Sequence, residues 1–287
     1  MKVALIGAGL MGTGLARLFI RAGWRVSVSD PDQGALDRLG REVPAANLSR
    51  EIAAAVAGVD LVIEAAPEKP ALKQAIFADL AEITGAGTIL ATNSSVIPVG
   101  VVTEKLSDDD ALRAVGTHFW NPPDLIPLVE VIQGPRSGLP AVERALSLLR
   151  AAGKDAVHVR RDAVPGNRLQ HALWREAMAL VDEGICAPED VDTIVKRSFG
   201  LRLPVLGPLE NADLVGLELT EDIHKVVLPT LSRATEPARG LRDRIARGDT
   251  GGKAGAGFYA DWSEGKLAAL RGRLTAHLNA LLQKEKS

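Results

Sequence analysis

The chain has one cysteine in 287 residues, Cys186. That excludes an internal disulfide and any cysteine-built zinc site, and it fits a reducing, cytoplasmic compartment. Aromatic residues make up only 3%, too few for the stacking platforms with which proteins grip single-stranded nucleic acid. Neither sign of charge prevails. Lys and Arg number 34 against 36 Asp and Glu, a net charge of −2, so the whole chain exerts no pull on nucleic acid or an anionic membrane. Apolar runs such as Ala53–Val59 fall far short of a membrane span. Gly7, Gly9 and Gly12 interrupt the apolar start before a signal-peptide core could form. No cluster has metal-ligand spacing, so no metal is expected. These absences predict a soluble cytoplasmic protein that acts on a small molecule, with no membrane or nucleic-acid partner.

Hydrophobic residues at 46% and charged residues at 24% are the balance of an ordinary globular chain. The length predicts two domains of roughly 150 residues each. The first part alternates apolar strands with amphipathic helices. Strands are expected at Lys2–Ile6, Arg25–Ser29, Leu61–Glu64, Thr88–Thr92, Ala114–His118, Val129–Ile132 and Ala156–Val159. Strands separated by helical segments pair in parallel through right-handed crossovers, giving a Rossmann-like, doubly wound, mostly parallel sheet. The texture changes at the charged, Pro/Gly-containing hinge Arg160–Gly166. Beyond it helical patterns dominate, at Leu169–Glu183, Pro188–Arg197, Pro208–Leu231 and Lys266–Leu282. The expected division is an α/β domain over residues 1–162 and an all-helical domain over residues 163–287.

Three segments carry candidate chemistry. Gly7-x-Gly9-x-x-Gly12 follows the first strand and opens the first helix. There Gly7 permits a tight turn, Gly9 lets backbone N–H groups approach a pyrophosphate, and Gly12 lets the helix lie close on the sheet. Asp30 ends the second strand, where a carboxylate would bind the ribose hydroxyls of NAD and repel a 2′-phosphate. A structural glycine turn with a capping aspartate is the plainer alternative. Thr92-Asn93-Ser94-Ser95 follows the fourth of the expected strands, at the sheet edge where ligands bind, although Ser94 or Ser95 could equally cap a helix. His118 ends an apolar strand and leads through Phe119-Trp120-Asn121-Pro122-Pro123 to Leu128–Ile132, an apolar strand that Glu130 interrupts. A carboxylate there is costly unless paired. If the loop returns the chain antiparallel, Glu130 comes beside His118, either as the orienter of a general base or as half of a structural ion pair. The other histidines, His158, His171, His224 and His277, lie in strand or helix patterns without such a partner.

In these segments the sequence resembles the L-3-hydroxyacyl-CoA dehydrogenase family, and the likeness runs end to end. It is carried by Val3-Ala4-Leu5-Ile6-Gly7-Ala8-Gly9-Leu10-Met11-Gly12, Val62-Ile63-Glu64-Ala65-Ala66-Pro67-Glu68, Thr92-Asn93-Ser94-Ser95 and His118-Phe119-Trp120-Asn121-Pro122 with Glu130. Asn167-Arg168-Leu169, Gly207-Pro208-Leu209-Glu210, Asp213–Leu217 and Gly252–Tyr259 continue it. The resemblance implies an NAD-binding domain followed by a helical substrate and dimerisation domain. It implies NAD-dependent oxidation of a secondary 3-hydroxyl to a ketone, as in fatty acid metabolism, by a homodimer. His118 would be the general base, Glu130 its holder, and Ser94 and Asn167 would bind the reacting oxygen. Asn121 would also contact substrate. Gly7, Gly9, Leu10, Met11, Gly12, Asp30, Asn93, Glu68 and Lys73 would contact the cofactor.

The chain departs from the family in three places. The family carries a long basic helical hairpin after the second strand, which clasps coenzyme A. Here Pro31–Arg50 has room for one short helix, with Arg38, Arg41 and Arg50 balanced by Asp32, Asp37 and Glu42. The stretch before Asn167 is about two residues shorter than in the family. Trp120, Pro123 and Asn211 replace commoner residues. In these respects the chain is similar to relatives that oxidise free 3-hydroxy acids such as gulonate or carnitine, or a ring-borne alcohol in pyridoxine breakdown. The substrate is therefore expected to be an acyl-CoA or a related hydroxy acid. The same chemistry without coenzyme A and a non-catalytic NAD-binding dimer stand as alternatives.

Overall fold

A computed structural model describes residues 1–284. Its strands are β1 (Lys2–Ile6), β2 (Arg25–Ser29), β3 (Asn47–Ser49), β4 (Leu61–Glu64), β5 (Ile89–Thr92), β6 (Ala114–Phe119), β7 (Leu128–Ile132) and β8 (Asp155–Val159). They form one sheet in the order β3-β2-β1-β4-β5-β6-β7-β8. Every neighbouring pair is parallel except β6 and β7, which run antiparallel. The helices between strands are α1 (Leu10–Arg21), α2 (Gln33–Glu42), α3 (Ile52–Ala55), α4 (Pro70–Ile83), α5 (Val99–Val102), α6 (Asp108–Leu112) and α7 (Leu139–Ala151). After β8 come α8 (Pro165–Asp182), α9 (Pro188–Arg197), α10 (Pro208–Val215), α11 (Leu217–Val227), α12 (Arg239–Arg247) and α13 (Glu264–Lys284).

The pleat explains the two cores. Successive side chains of a strand point to opposite faces, so Val3 and Leu5 join one buried cluster while Ala4 and Ile6 join another. Leu15 and Phe19 of α1, Leu36 and Leu39 of α2, and Val142 and Leu149 of α7 cover the first face. Ile76, Phe77 and Leu80 of α4 cover the second. Strands buried on both faces read as continuous apolar runs, which is why Leu61-Val62-Ile63 stood out.

The sheet holds one strand more than expected. Asn47–Ser49 adds β3 beside β2, a three-residue edge strand too short to show a period. The helical stretch expected over Pro208–Leu231 is broken. Gly216, at φ +102°, is the C-cap of α10 and the N-cap of α11, in a conformation only glycine takes without strain. The chain forms two compact units, one of Met1–Pro165 with residues 278–284, the other of Gly166–His277. The end of the last helix thus counts with the first unit rather than with the expected helical domain. Among the described residues no helix is long and apolar enough to cross a membrane.

Candidate active site

The carboxyl ends of β1, β2, β4, β5 and β6 bring most of the singled-out residues to one edge of the sheet. Gly7 leaves β1 at φ +111°, and a Cβ there would lie 2.7 Å from the Ala65 carbonyl oxygen. A Cβ on Gly12 would lie 1.9 Å from the Gly7 carbonyl oxygen, whereas one on Gly9 would meet nothing within 4 Å. Gly12 is thus demanded by the close approach of α1 to the loop. Gly9, the N-cap of α1, leaves an open cradle in front of the helix. The N–H groups of a helix's first turn have no intrahelical acceptor, and Leu10 and Met11 begin that turn. Asp30 fixes the loop: one carboxylate oxygen accepts from Ala8 N at 2.7 Å, the other from Asp32 N at 2.8 Å. An open cradle at a helix N-terminus, with a carboxylate beside it, fits the pyrophosphate and ribose of NAD.

Beneath the cradle lies a buried ion pair. Glu64 and Lys73 are 0% and 1% exposed. The Lys73 ammonium donates to both Glu64 oxygens, at 2.7 and 3.0 Å, and to the Ala66 carbonyl. Thr92 Oγ1 and Ala66 N complete the Glu64 carboxylate. Lys73 is therefore a buried support of the loop after β4, not an exposed cation. Glu68, further along that loop, accepts from Ser94 Oγ at 2.8 Å and from Ser95 N at 3.0 Å. Ser94 Oγ in turn accepts from Ile97 N at 2.7 Å. Asn93 is 8% exposed, and its side-chain oxygen accepts from Phe119 N at 3.0 Å, tying the end of β5 to that of β6.

The antiparallel return places Glu130 directly opposite His118 in the β6–β7 register. His118 Nδ1 lies 2.8 Å from Glu130 Oε2, and the two side chains are 4% and 3% exposed. A carboxylate only accepts, so Nδ1 carries the proton of this contact. Ser95 Oγ is 3.2 Å from Nε2. Sequence reasoning had singled out Ser94 and passed over this neighbour. Trp120 stands edge-on to His118, with ring centroids 5.4 Å apart. Its indole nitrogen is buried and has no acceptor among the described residues. Asn121 is exposed and joined to Pro122 by a cis peptide bond.

The loop between His118 and Glu130 is tied down from beneath. The Lys154 ammonium donates to the carbonyls of Pro123 and Ile126, at 2.6 and 2.5 Å. Burial pushes its pKa down to about 8, partly offset by the Asp124 charge. Arg17 and Arg21 of α1 hold Asp124 from the other side. The histidine outside this site that sits in a strand, His158, lies 3.2 Å from Gln133 Oε1. No group of three or more His, Cys, Asp or Glu among the described residues could hold a metal ion. Asn167 stands on the first turn of α8, in the second unit. That unit has its own apolar cavity, lined by Trp174, Met178, Val181, Phe258 and Tyr259, with Asp192 at its wall. Asp192 is engaged by Tyr259 and Lys196, so the cavity lacks a base or nucleophile.

Residues 2–50 and 43–163 match the 3-hydroxyacyl-CoA dehydrogenase NAD binding domain, and residues 165–261 match the C-terminal domain of the same family. The chain belongs to the 3-hydroxyacyl-CoA dehydrogenase family. It is an NAD-dependent dehydrogenase. The 5-formyl-3-hydroxy-2-methylpyridine 4-carboxylate 5-dehydrogenase of Mesorhizobium japonicum is 33% identical over 280 residues, covering 90% of each chain. The crystal structure of a 5-formyl-3-hydroxy-2-methylpyridine 4-carboxylic acid 5-dehydrogenase, an NAD+-dependent dismutase, superposes with a TM-score of 0.93. It is 29% identical, over 100% of this chain and 98% of the other. The 3-hydroxybutyryl-CoA dehydrogenase of Escherichia coli K12 superposes with a TM-score of 0.74 at 29% identity, over 91% of this chain and 59% of the other.

Proposed function

We propose that this dehydrogenase oxidises a secondary alcohol on a compact hydroxy acid or ring-borne alcohol that carries no coenzyme A, with His118 as general base. The chemistry rests on the His118–Glu130 pair. Glu130 holds the Nδ1 proton, fixes the ring and stabilises the imidazolium that forms when Nε2 takes the substrate's hydroxyl proton. Ser94 and Asn167 hydrogen-bond the reacting oxygen, and Asn121 contacts the substrate. Gly7, Gly9, Leu10, Met11 and Gly12 receive the pyrophosphate of NAD, and Asp30 its ribose. Asn93, Glu68 and the buried Lys73 shape the nicotinamide side. Bound NAD supplies the acceptor for the hydride that leaves the carbinol carbon. Ser95 Oγ holds the position on Nε2 that the substrate hydroxyl takes over.

The substrate class rests on one observation. Between β2 and β4 the chain forms only α2, a strand of three residues and one turn of helix, with no hairpin to clasp a coenzyme A tail. At equal sequence identity, the superposition is also closer to the pyridine carboxylate enzyme than to the acyl-CoA enzyme. A coenzyme A thioester is the second reading, favoured by the match to the family itself, and it would place the enzyme in fatty acid metabolism. NADH formation from L-3-hydroxybutyryl-CoA and from free L-3-hydroxybutyrate, at equal concentration, decides between them. The free acid is expected to be the better substrate, and a large advantage for the thioester would overturn this reading.

The enzyme acts as a homodimer through its second unit. That unit leaves Val205 87%, Leu209 81%, Leu214 73% and Val226 72% exposed, more large apolar surface than a monomer usually shows to water. Its compartment is the cytoplasm, where a lone cysteine such as Cys186 stays reduced.

A further inference from the structure

Arg38, Arg41 and Arg50 balance Asp32, Asp37 and Glu42 in number but not in space. Arg38 lies 3.7 Å from Asp32, Asp37 accepts from Gln33 Nε2 at 2.8 Å, and Glu42 is taken by Arg17 of α1 at 2.8 Å. Arg41 and Arg50 are left without a carboxylate partner among the described residues. Arg41 sits in the last turn of α2, where a cation complements the carbonyl end of the helix. Arg50 has no such reason for its charge. It follows β3 at the carboxyl edge of the sheet, the edge that carries the cofactor cradle.

The fold sets Arg50 beside Asp30. Ser29 and Ser49 are partners in the β2–β3 register, and Asp30 N donates to the Ser49 carbonyl at 3.3 Å. Asp30 and Arg50 are therefore the first residues beyond two neighbouring strand ends. They do not pair. The Asp30 oxygens accept from Ala8 N and Asp32 N, while Arg50 Nε donates to the Pro31 carbonyl at 3.3 Å. The guanidinium is thus anchored on the residue after Asp30, on an exposed side chain whose Nη groups have no acceptor among the described residues. In dinucleotide-binding sheets an arginine near the ribose carboxylate accommodates the 2′-phosphate of NADP. The stretch after Asp30, Pro31-Asp32-Gln33-Gly34, holds none. The fold supplies one from the next strand.

We propose that Arg50 is a cofactor-specificity residue that takes the 2′-phosphate of NADP, so that this NAD-dependent enzyme also binds NADP. This rests on the reading of Asp30 as the ribose contact. The planar guanidinium matches phosphate oxygens with parallel N–H donors. Asp30 opposes the phosphate by like charge, which keeps NADP the weaker cofactor, and Arg50 offsets that repulsion. Losing a hydrogen bond to a charged group lowers affinity by about 10–100-fold. The loss is confined to the cofactor that carries the phosphate, and because the pair is exposed it shrinks as salt is raised.

The test needs no substrate. NADH and NADPH are titrated at low salt by nicotinamide fluorescence into the wild type, Arg50→Gln, Arg50→Lys and, as a control, Arg41→Gln. The wild type is expected to bind both, NADH more tightly. Arg50→Gln is expected to lose about 10–100-fold in NADPH affinity and less than about threefold in NADH affinity. Arg50→Lys keeps part of the NADPH affinity as a point charge, and Arg41→Gln matches the wild type. A wild type that binds NADH but no NADPH at about a hundredfold higher concentration would overturn the proposal. So would an Arg50→Gln enzyme in which both affinities fall equally, or neither falls. Asp30→Asn, expected to move the NADPH-to-NADH ratio the opposite way, tells the two readings apart. A ratio moved by Asp30→Asn alone overturns the role of Arg50, and a ratio moved by neither variant overturns the ribose site at these strand ends as well.

Discussion

Residues 3–156 contain every buried apolar side chain among the described residues except Val191. Helices α8 to α12 instead each expose apolar side chains, among them Leu169, Ile194, Leu214, Val226 and Ile245. The first unit is therefore a finished globule. Its sheet is covered on both faces, and its candidate site is built on strand ends whose neighbours are packed. The second unit has helices with apolar faces and almost no interior of its own. The lesson is a division of labour. The groups proposed for chemistry, Asn167 apart, sit on the part whose geometry is fixed by its own core. The part with little buried apolar interior is the one for which a second copy is proposed as cover.

Charge placed on the exposed apolar surface should break this contrast most severely. Leu214→Asp or Val226→Asp is expected to convert a dimer to a monomer in light-scattering chromatography and to lower the melting temperature. Phe77→Ala, within the first unit's core, is expected to cost about 3–5 kcal/mol of stability while leaving the dimer intact. A monomeric wild type, or a dimer indifferent to the aspartates, would contradict the comparison.

A smaller effect sharpens it from the other side. Lys154 has a pKa lowered from 10.5 to about 8 by burial, with Asp124 and Asp155 opposing that shift and Arg21 adding to it. Between about pH 8 and 10.5 the unfolded chain binds more protons than the folded one, so this group makes stability rise with pH across that window. The burden of burying the charge is greatest below pH 8. Lys154→Met should therefore compare best with the wild type at pH 7 and progressively worse toward pH 10, as read by denaturant midpoints. A difference independent of pH would contradict the burial of a charged lysine under the loop.

How much was legible in the sequence differs between the same two units. In β1 and β4 the apolar runs and the residues bounding them matched the observed limits, because both faces of those strands are buried. The His118–Glu130 pair was legible because a carboxylate inside an apolar strand demands a partner and a two-strand return supplies one. Glu64 carried the same signal, a charge ending the apolar run Leu61-Val62-Ile63, and its pairing with Lys73 went unread. Which of Ser94 and Ser95 reaches the imidazole depends on the turn after β5, and adjacent hydroxyls look alike in sequence. The Trp120 indole N–H is orphaned by packing, which no spacing reveals. In the second unit helical periodicity marked apolar faces but could not say whether their own chain covers them. The break at Gly216 was signalled only by the glycine itself.

The central claim is that His118, held by Glu130, moves the proton. The direct measurement is kcat for His118→Ala and Glu130→Gln beside the affinity of each variant for NAD. The account predicts that His118→Ala loses about 10²–10⁴ of kcat, that Glu130→Gln loses less, and that NAD affinity stays close to wild type in both. A His118→Ala enzyme that keeps more than half of wild-type turnover would contradict it.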